Sequence, residues 1–486
     1  MRFPLGGPPR PAPSALPRAC ASLRSVNARE DLIHPVTSDL GDYFALVRRP
    51  PFGAQGLLEA LPELRGDRVI GEQPIASTDG QPLLAVEAQL SSSATGGSWP
   101  LTARISRHAR VSCDVQAWRR GGGLKRSFNP HMKENPNAYV CIMAGGSGER
   151  FWPMSRQRTP KHLLKLFGDR TLLEDTVRRF KGVVPDSNIF VLTNEAQRES
   201  TLAALPFLAP EQIVAEPAKR DTAPAAALAT GLVRARNPNA VMALLPADAL
   251  IKNHARLAEQ MSAALVRASA TDALLTFAIK PTYASPGFGY LEMGAEVAST
   301  RESGVIRRVT RFVEKPDLAT AERYVASGDY AWNAGMFIWR VGAFLAEADR
   351  QAPELATFIR AFPTGNPTEY LAQAFLQLPK ISIDYAVMEK AAEVETILAE
   401  YDWDDVGMWT SLPPHLSSDA AGNARRGEAV AINSQNNISI SNGRVIALVG
   451  VKDLVVVETA DAVLVCHRDA VQDIKKLMPV LPKALL

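Results

Sequence analysis

The sequence predicts an α/β fold with a mostly parallel sheet, followed by a smaller β module, and three observations carry that expectation. Apolar runs of strand length alternate with stretches of helical spacing between residues 138 and 280. Glycine-rich or acidic breaks follow several of those runs, at the strand ends where open parallel sheets place their ligands. From Gly427 onward the pattern changes to closely spaced short β runs. At 486 residues, 46% hydrophobic and 22% charged, the chain is long enough for a large core and two or three domains.

The first 131 residues differ in composition from the rest. They carry 16 Lys and Arg against 11 Asp and Glu, and the remainder carries 38 against 40, so the net charge of +3 arises entirely in this segment. The arginines are dispersed without aromatic interleaving, which argues against a nucleic-acid-binding arm. Prolines interrupt both an apolar signal core and an amphipathic transit helix. Lys125 is the only lysine of the segment, whereas lysine is frequent afterwards. Residues 1–131 are therefore expected to be a disordered leader or a mis-assigned upstream start, with Met132 as the functional beginning. N-terminal sequencing of the native protein tests this, and a mature chain beginning near Met1 would overturn it. No apolar run approaches the ~18 residues of a membrane span. Cys20, Cys113, Cys141 and Cys466 form neither a zinc pattern nor a disulfide framework, so a cytoplasmic setting is expected.

The apolar run Tyr139–Ala144 has the length of a buried strand and breaks into Gly145, Gly146, Ser147, Gly148, Glu149 and Arg150. This reads as a strand followed by a phosphate loop, in which glycines let the backbone turn its N–H groups toward an anion, while Arg150 and Lys161 supply countercharge. The spacing is not the GxGxxG of a dehydrogenase. Thr171–Phe180 has helical spacing and Asn188–Thr193 is a short strand. Ile213 and Val214 lead toward Glu216 and a stretch where Asp221 or Thr222 caps an alanine-rich, closely packing helix. Ala240–Leu245 is a buried strand ending in Pro246, Ala247 and Asp248; helix Ala255–Ala270 and strand Leu274–Ile279 complete the alternation.

The next stretch is less regular. Pro286–Tyr290 is a glycine-rich bend, Val309–Pro316 is a strand ending in Glu314 and Lys315, and the apolar run Tyr330–Trp339 contains Asn333, an amide that must find partners. Ile381–Lys390 opens a helix, and Tyr401–Trp409 holds Asp402, Asp404 and Asp405 beside Gly407. In the β module, Asn442-Gly443 suggests a hairpin, but the even spacing of the strands equally suits coils of a β-solenoid, capped by a helix at Asp469–Leu477.

A phosphate loop with two cations, an acid at a strand end and a later acidic turn share one explanation, a nucleotide–metal site. Mg²⁺ takes one or two carboxylates plus phosphate oxygens and water, which makes Asp248 and Asp405 a pair if the fold brings them together. Nucleotidyl transfer needs positioning and charge stabilisation and no covalent nucleophile.

The stretch GGSGERFWPMSRQRTPKHLL resembles the pyrophosphorylase motif of sugar-nucleotide synthesis, and FVEKP, WNAGMF and IDYAVME resemble motifs of the bacterial mannose-1-phosphate guanylyltransferases, the GDP-mannose pyrophosphorylases. The similarity covers residues 138–486 and leaves out the leader. It implies a Rossmann-like nucleotidyltransferase domain at 136–415, a short β-helical domain at 425–486, and transfer of GMP from GTP to mannose 1-phosphate with release of pyrophosphate. It also implies catalytic roles for Arg150 and Lys161, Mg²⁺ held by Asp248 and Asp405, and nucleotide contacts from Gly145, Gly146, Ser147, Gly148, Asp221 and Thr222. Gly289, Glu314, Lys315 and Asn333 match the family's sugar side. The expected partners are GTP and mannose 1-phosphate, with a homodimer as the assembly and neither nucleic acid nor membrane. This sequence departs from the family at Asp221, where the pattern has asparagine, and at Ala249, where it has histidine. Relatives with a further cupin-type isomerase domain run longer, so isomerase activity is not expected. The alternatives are a pyrophosphorylase for another sugar 1-phosphate or nucleotide, and a non-catalytic regulator that binds sugar nucleotides.

Overall fold

The computed structural model describes residues 33–38, 41–46, 68–76, 82–91, 98–106 and 134–486, in two units, Met1–Arg126 and Ser127–Leu486. In the first, β1 (Ile33–Ser38) pairs antiparallel with β2 (Gly41–Leu46). β3 (Arg68–Ala76), β4 (Pro82–Ser91) and β5 (Ser98–Ser106) form an antiparallel sheet. These strands stand in a segment whose composition leads one to expect disorder. The rest of that segment, with the expected start at Met132, lies outside the described residues.

The second unit is built on a nine-stranded sheet. Its parallel half comprises β6 (Ala138–Met143), β7 (Ile189–Asn194), β8 (Ile213–Glu216) and β9 (Val241–Pro246), aligned in the order β9-β6-β7-β8. The other half holds β10 (Leu274–Ile279), β11 (Tyr290–Thr300), β12 (Gly304–Val313), β13 (Tyr330–Arg340) and β14 (Val394–Leu398). There β10 and β14 run parallel, while β11 pairs antiparallel with β12 and β13. β13 joins the halves by pairing antiparallel with β9.

Successive residues of a strand face opposite sides of a sheet, so the nearly unbroken apolar runs of β6, β7 and β9 require cover on both faces. On one face Val140, Ile142, Val191 and Leu245 pack with α1 (Leu172–Arg178), and a further helix, described below as α4, closes the same side. α2 (Glu195–Ala204) follows β7 directly and is capped by Asn194, whose side chain accepts from Gln197 N. On the other face Tyr139, Cys141, Phe190 and Leu244 pack against α3 (Thr222–Arg236), whose Ala225, Ala226, Ala227 and Ala229 are buried. α4 (His254–Ala270) turns Leu257, Met261 and Leu265 inward.

The C-terminal part is a β-solenoid. After β15 (Ser417–Ser418), strands β16 (Ala424–Arg426) and β17 (Ala429–Ile432) begin two faces. They are continued in parallel register by β18 (Ile438–Ile440) and β19 (Ile446–Val449), and the first face also by β20 (Leu454–Glu458). Asn442-Gly443 closes no hairpin, because β18 and β19 on either side of it belong to different sheets. An amide ladder sets the coil spacing: Asn437 Nδ2 donates to Asn423 Oδ1 at 2.8 Å, and Leu454 N donates to Asn437 Oδ1 at 2.9 Å. β21 (Val463–His467) adds antiparallel to β20, and Arg468–Leu477 is a 3-10 helix. A third core cluster ties this module to the glycine-rich stretch, uniting Phe151, Trp152, Leu164 and Trp409 with Ile438, Val455, Val471 and Ile474.

Candidate active site

β6 delivers the glycine-rich loop to the C-terminal edge of the parallel strands. The loop's carbonyls are held from α2 and its cap: Gln197 Nε2 donates to Gly146 O at 3.3 Å and Asn194 Nδ2 to Gly145 O at 3.5 Å. Gly148 has φ of 62°, and a Cβ there would lie 2.5 Å from Lys161 Cβ and 2.7 Å from Lys161 N. Both conformation and space therefore demand glycine, which lets the loop fold onto the backbone of Lys161.

Lys161 is buried, its side chain 8% exposed. Its Nζ donates to Asp248 Oδ2 at 2.9 Å and to the main-chain carbonyl of Asp405. The fold brings those acids together by pairing two turns: Leu250 N donates to Asp404 O at 2.8 Å and Asp404 N to Leu250 O at 3.0 Å. The three late carboxylates then divide their roles. Asp402 accepts from Lys252 N and Asn253 N ahead of α4. Asp404 Oδ2 lies 2.7 Å from His415 Nε2, and its Oδ1 accepts from Val406 N. Asp405 is left for the cavity, and the next residue, Val406, has φ of 45°, a strained conformation for a β-branched residue that marks functional turns.

The electrostatics follow from this geometry. Burial opposes the charge on Asp248, but the Lys161 ammonium beside it holds the carboxyl below its ordinary range. Asp405 is pushed up to about 6 by burial, with Asp404 and Asp248 adding repulsion that Lys161 offsets only in part. A cavity of about 430 Å³ opens over this group, lined by Ser147, Gly148, Arg150, Lys161, Asp248 and Asp405 among others. Among the described residues no cluster of three or more His, Cys, Asp or Glu is arranged as a metal cage. Two carboxylates, with phosphate oxygens and water completing the shell, are a donor set that Mg²⁺ accepts, and Asp248 and Asp405 are the acids that line this cavity.

A second group lies just before β11, just after β12 and within β13. Glu314 Oε1 accepts from Lys315 Nζ at 2.6 Å, Glu314 N donates to Glu389, and Asn333 Nδ2 donates to Asp384 Oδ1 at 3.3 Å. Asn333 Oδ1 accepts from Thr276 Oγ1 at 2.8 Å, so the amide within the apolar run is anchored. A Cβ at Gly289 would stand 2.5 Å from Glu314 Oε2, so a side chain there would displace that carboxylate. Desolvation pushes Asp384 up to about 7, with Glu314 contributing. Between the groups runs an aromatic seam in which Phe288 meets Trp332 at 4.9 Å and Trp403 at 5.7 Å, beside Asn333 and the acidic turn respectively.

Comparison with known proteins gives this geometry a family. Residues 139–420 match the model "Nucleotidyl transferase", and residues 427–481 match "MannoseP isomerase/GMP-like beta-helix domain". Mannose-1-phosphate guanylyltransferase of Escherichia coli (strain K12) is 39% identical over 349 residues, 70% of this chain and 72% of that protein. Mannose-1-phosphate guanylyltransferase ManC of Salmonella typhimurium is 40% identical over the same shares. The chain belongs to the mannose-1-phosphate guanylyltransferase family. A crystal structure described as mannose-1-phosphate geranyltransferase, from Thermus thermophilus, superposes with a TM-score of 0.64 at 31% identity, covering 71% of this chain and 99% of that one.

For a guanylyltransferase relative, the positions of the expected residues are informative. Ser147, Gly148, Arg150, Lys161, Asp248 and Asp405 share one cavity, and Gly289, Glu314, Lys315 and Asn333 share the second group. Gly145, Gly146, Asp221 and Thr222 lie outside the cavity lining. Asp221 caps α3 with φ of 71° and accepts from Thr222 N, and Thr222 Oγ1 accepts from Ile383 N at 2.9 Å. Sequence reasoning missed Asp384 and Glu389, although both stand inside the IDYAVME motif. It also missed Glu216, a buried carboxyl at the end of β8 facing Gly145, which makes no hydrogen bond with a described residue and is pushed up to about 8 by burial. Lys475, from the 3-10 helix Arg468–Leu477, lines the cavity with no sequence motif to announce it.

Proposed function

We propose that this enzyme transfers GMP from GTP to mannose 1-phosphate, giving GDP-mannose and pyrophosphate, with Mg²⁺ as the metal. The observation that carries this reading is the meeting of Lys161, Asp248 and Asp405 beneath the glycine-rich loop in one cavity. An oxygen of the sugar phosphate attacks the α-phosphorus in line, the P–O bond to the β-phosphate breaks, and pyrophosphate leaves with the electron pair. Arg150 faces the cavity and balances the triphosphate, while Gly145 to Gly148 offer main-chain N–H groups along it. Lys161 holds Asp248 ionised and oriented, and it is placed to add positive charge as the transferring phosphate gains negative charge. Asp248 and Asp405 would hold Mg²⁺, which when bound neutralises phosphate oxygens. Glu314 and Asn333 orient sugar hydroxyls, the carboxylate accepting and the amide both accepting and donating.

The test measures pyrophosphate release with GTP and mannose 1-phosphate, against ATP, UTP and dTTP and against glucose 1-phosphate. Preference for another pair would make it a different pyrophosphorylase, and inactivity with every pair would leave a sugar-nucleotide-binding regulator. A cytoplasmic location and a homodimer belong to the same reading, the latter checked by sedimentation. No helix among the described residues is long and apolar enough to cross a membrane.

A further inference from the structure

The 3-10 helix Arg468–Leu477 buries Val471 and Ile474 in the cluster that also holds Phe151, the last residue of the turn after the glycine-rich loop. Anchored there, the helix turns Lys475 into the cavity lined by Ser147, Arg150, Lys161, Asp248 and Asp405. The cations around this cavity differ in what they already touch. Lys161 is engaged by Asp248 and by the carbonyl of Asp405. Lys476, next to Lys475, is paired with Asp473 at 2.7 Å. The Lys475 ammonium makes no hydrogen bond or ion pair with a described residue, and neither does the Arg150 guanidinium. The carboxylates of Glu149, Asp248 and Asp405 line the same cavity, yet none of them pairs with Lys475, whose three ammonium donors are left for an anion.

We propose that Lys475 binds the β- and γ-phosphates of the nucleotide and the pyrophosphate they become, so that the solenoid module completes the active site opposite Arg150. The polyphosphate end is favoured over the sugar phosphate because Lys475 shares its cavity with the glycine-rich loop, and none of Gly289, Glu314 or Asn333 lines that cavity. The inference rests on the reading of this cavity as a nucleoside triphosphate site.

Calorimetric titration of inorganic pyrophosphate with Mg²⁺ into the full-length protein tests it without depending on turnover. Lys475→Ala is expected to weaken binding roughly tenfold, the loss of one charge-assisted contact. Lys475→Arg should restore most of the affinity, and Lys476→Ala should leave it unchanged. In steady state, Lys475→Ala should raise KM for GTP and leave KM for mannose 1-phosphate in place. Equal pyrophosphate affinity in wild type and Lys475→Ala overturns the proposal, as does an equal loss in Lys476→Ala, which would assign the effect to general surface charge. Because Lys475 is exposed, a thermal midpoint close to wild type is expected, separating lost binding from lost folding. Failure of the wild type to make GDP-mannose while it still binds pyrophosphate through Lys475 would sink the substrate assignment and leave this cation in place.

Discussion

At the scale of single residues, the arrangement of Lys161 concentrates the chemistry. Its ammonium is desolvated and bonded to groups from two separate turns, so its removal deletes a cation and also leaves Asp248 without its counterion. Lys161→Ala is expected to slow turnover by roughly 10²- to 10³-fold, measured as kcat for pyrophosphate release; a near-normal rate would remove it from the machinery. Glu216 is a different case, a carboxyl that burial pushes up to about 8 with no cation to oppose the shift. Between its ordinary value near 4.5 and about 8, the folded chain keeps a proton that the unfolded chain releases, so stability falls as pH rises through that window. Glu216→Gln should flatten this slope, and urea midpoints at pH 5.5 and 8.5 for both proteins check it. Parallel profiles would show that the carboxyl is ionised throughout. Burial of this kind was invisible in the sequence, since a glutamate before a proline reads as an ordinary loop residue.

At the scale of elements, the site depends on two turns that meet edge to edge, Leu250 against Asp404. Asp402 secures that meeting by accepting from the N–H groups of Lys252 and Asn253. Asp402→Ala should cost about 1 kcal/mol, the range of a lost cap, and should raise the Mg²⁺ concentration needed for half-maximal rate by loosening Asp405 against Asp248. An unchanged metal titration with lowered stability would confine Asp402 to folding. β6, β7 and β9 of the parallel half were legible because each is a buried apolar run bounded by turn residues, whereas β8 is short and ends in Glu216. α2 was not, because EAQRESTLAA carries too few apolar positions to show a period, and its start is set by the Asn194 cap. β11 escaped for a related reason, and β12 was read only in its last part, as Val309–Pro316: their pairing shifts register at several places and leaves outer residues exposed, which breaks the period of two. The acidic turn showed that carboxylates were present, but their allocation to backbone, histidine and cavity depends on a long-range pairing that no local pattern encodes.

At the scale of the whole unit, the solenoid shares a core with the glycine-rich stretch and the acidic turn, through Phe151, Leu164, Val406 and Trp409. Ile474 is buried among Phe151, Trp409 and Val455, so Ile474→Ala should cost about 2–4 kcal/mol. It should speed native-state hydrogen exchange of amides in both the turn at 149–152 and β20. Faster exchange confined to the solenoid would show two independently stable parts. The resemblance of the ordered motifs to one enzyme family was readable from the sequence. The contact that lets the last helix reach the first loop was not, since it depends on the solenoid stacking its coils.

The aromatic seam between the two residue groups has an optical consequence. Trp332 and Trp403 flank Phe288, and the indole N–H of each is buried without a partner among the described residues. One neighbours Asn333 in the chain and the other neighbours the acidic turn. Their fluorescence is therefore expected to shift when either half of the site fills, giving a label-free record of the order in which nucleotide and sugar phosphate arrive.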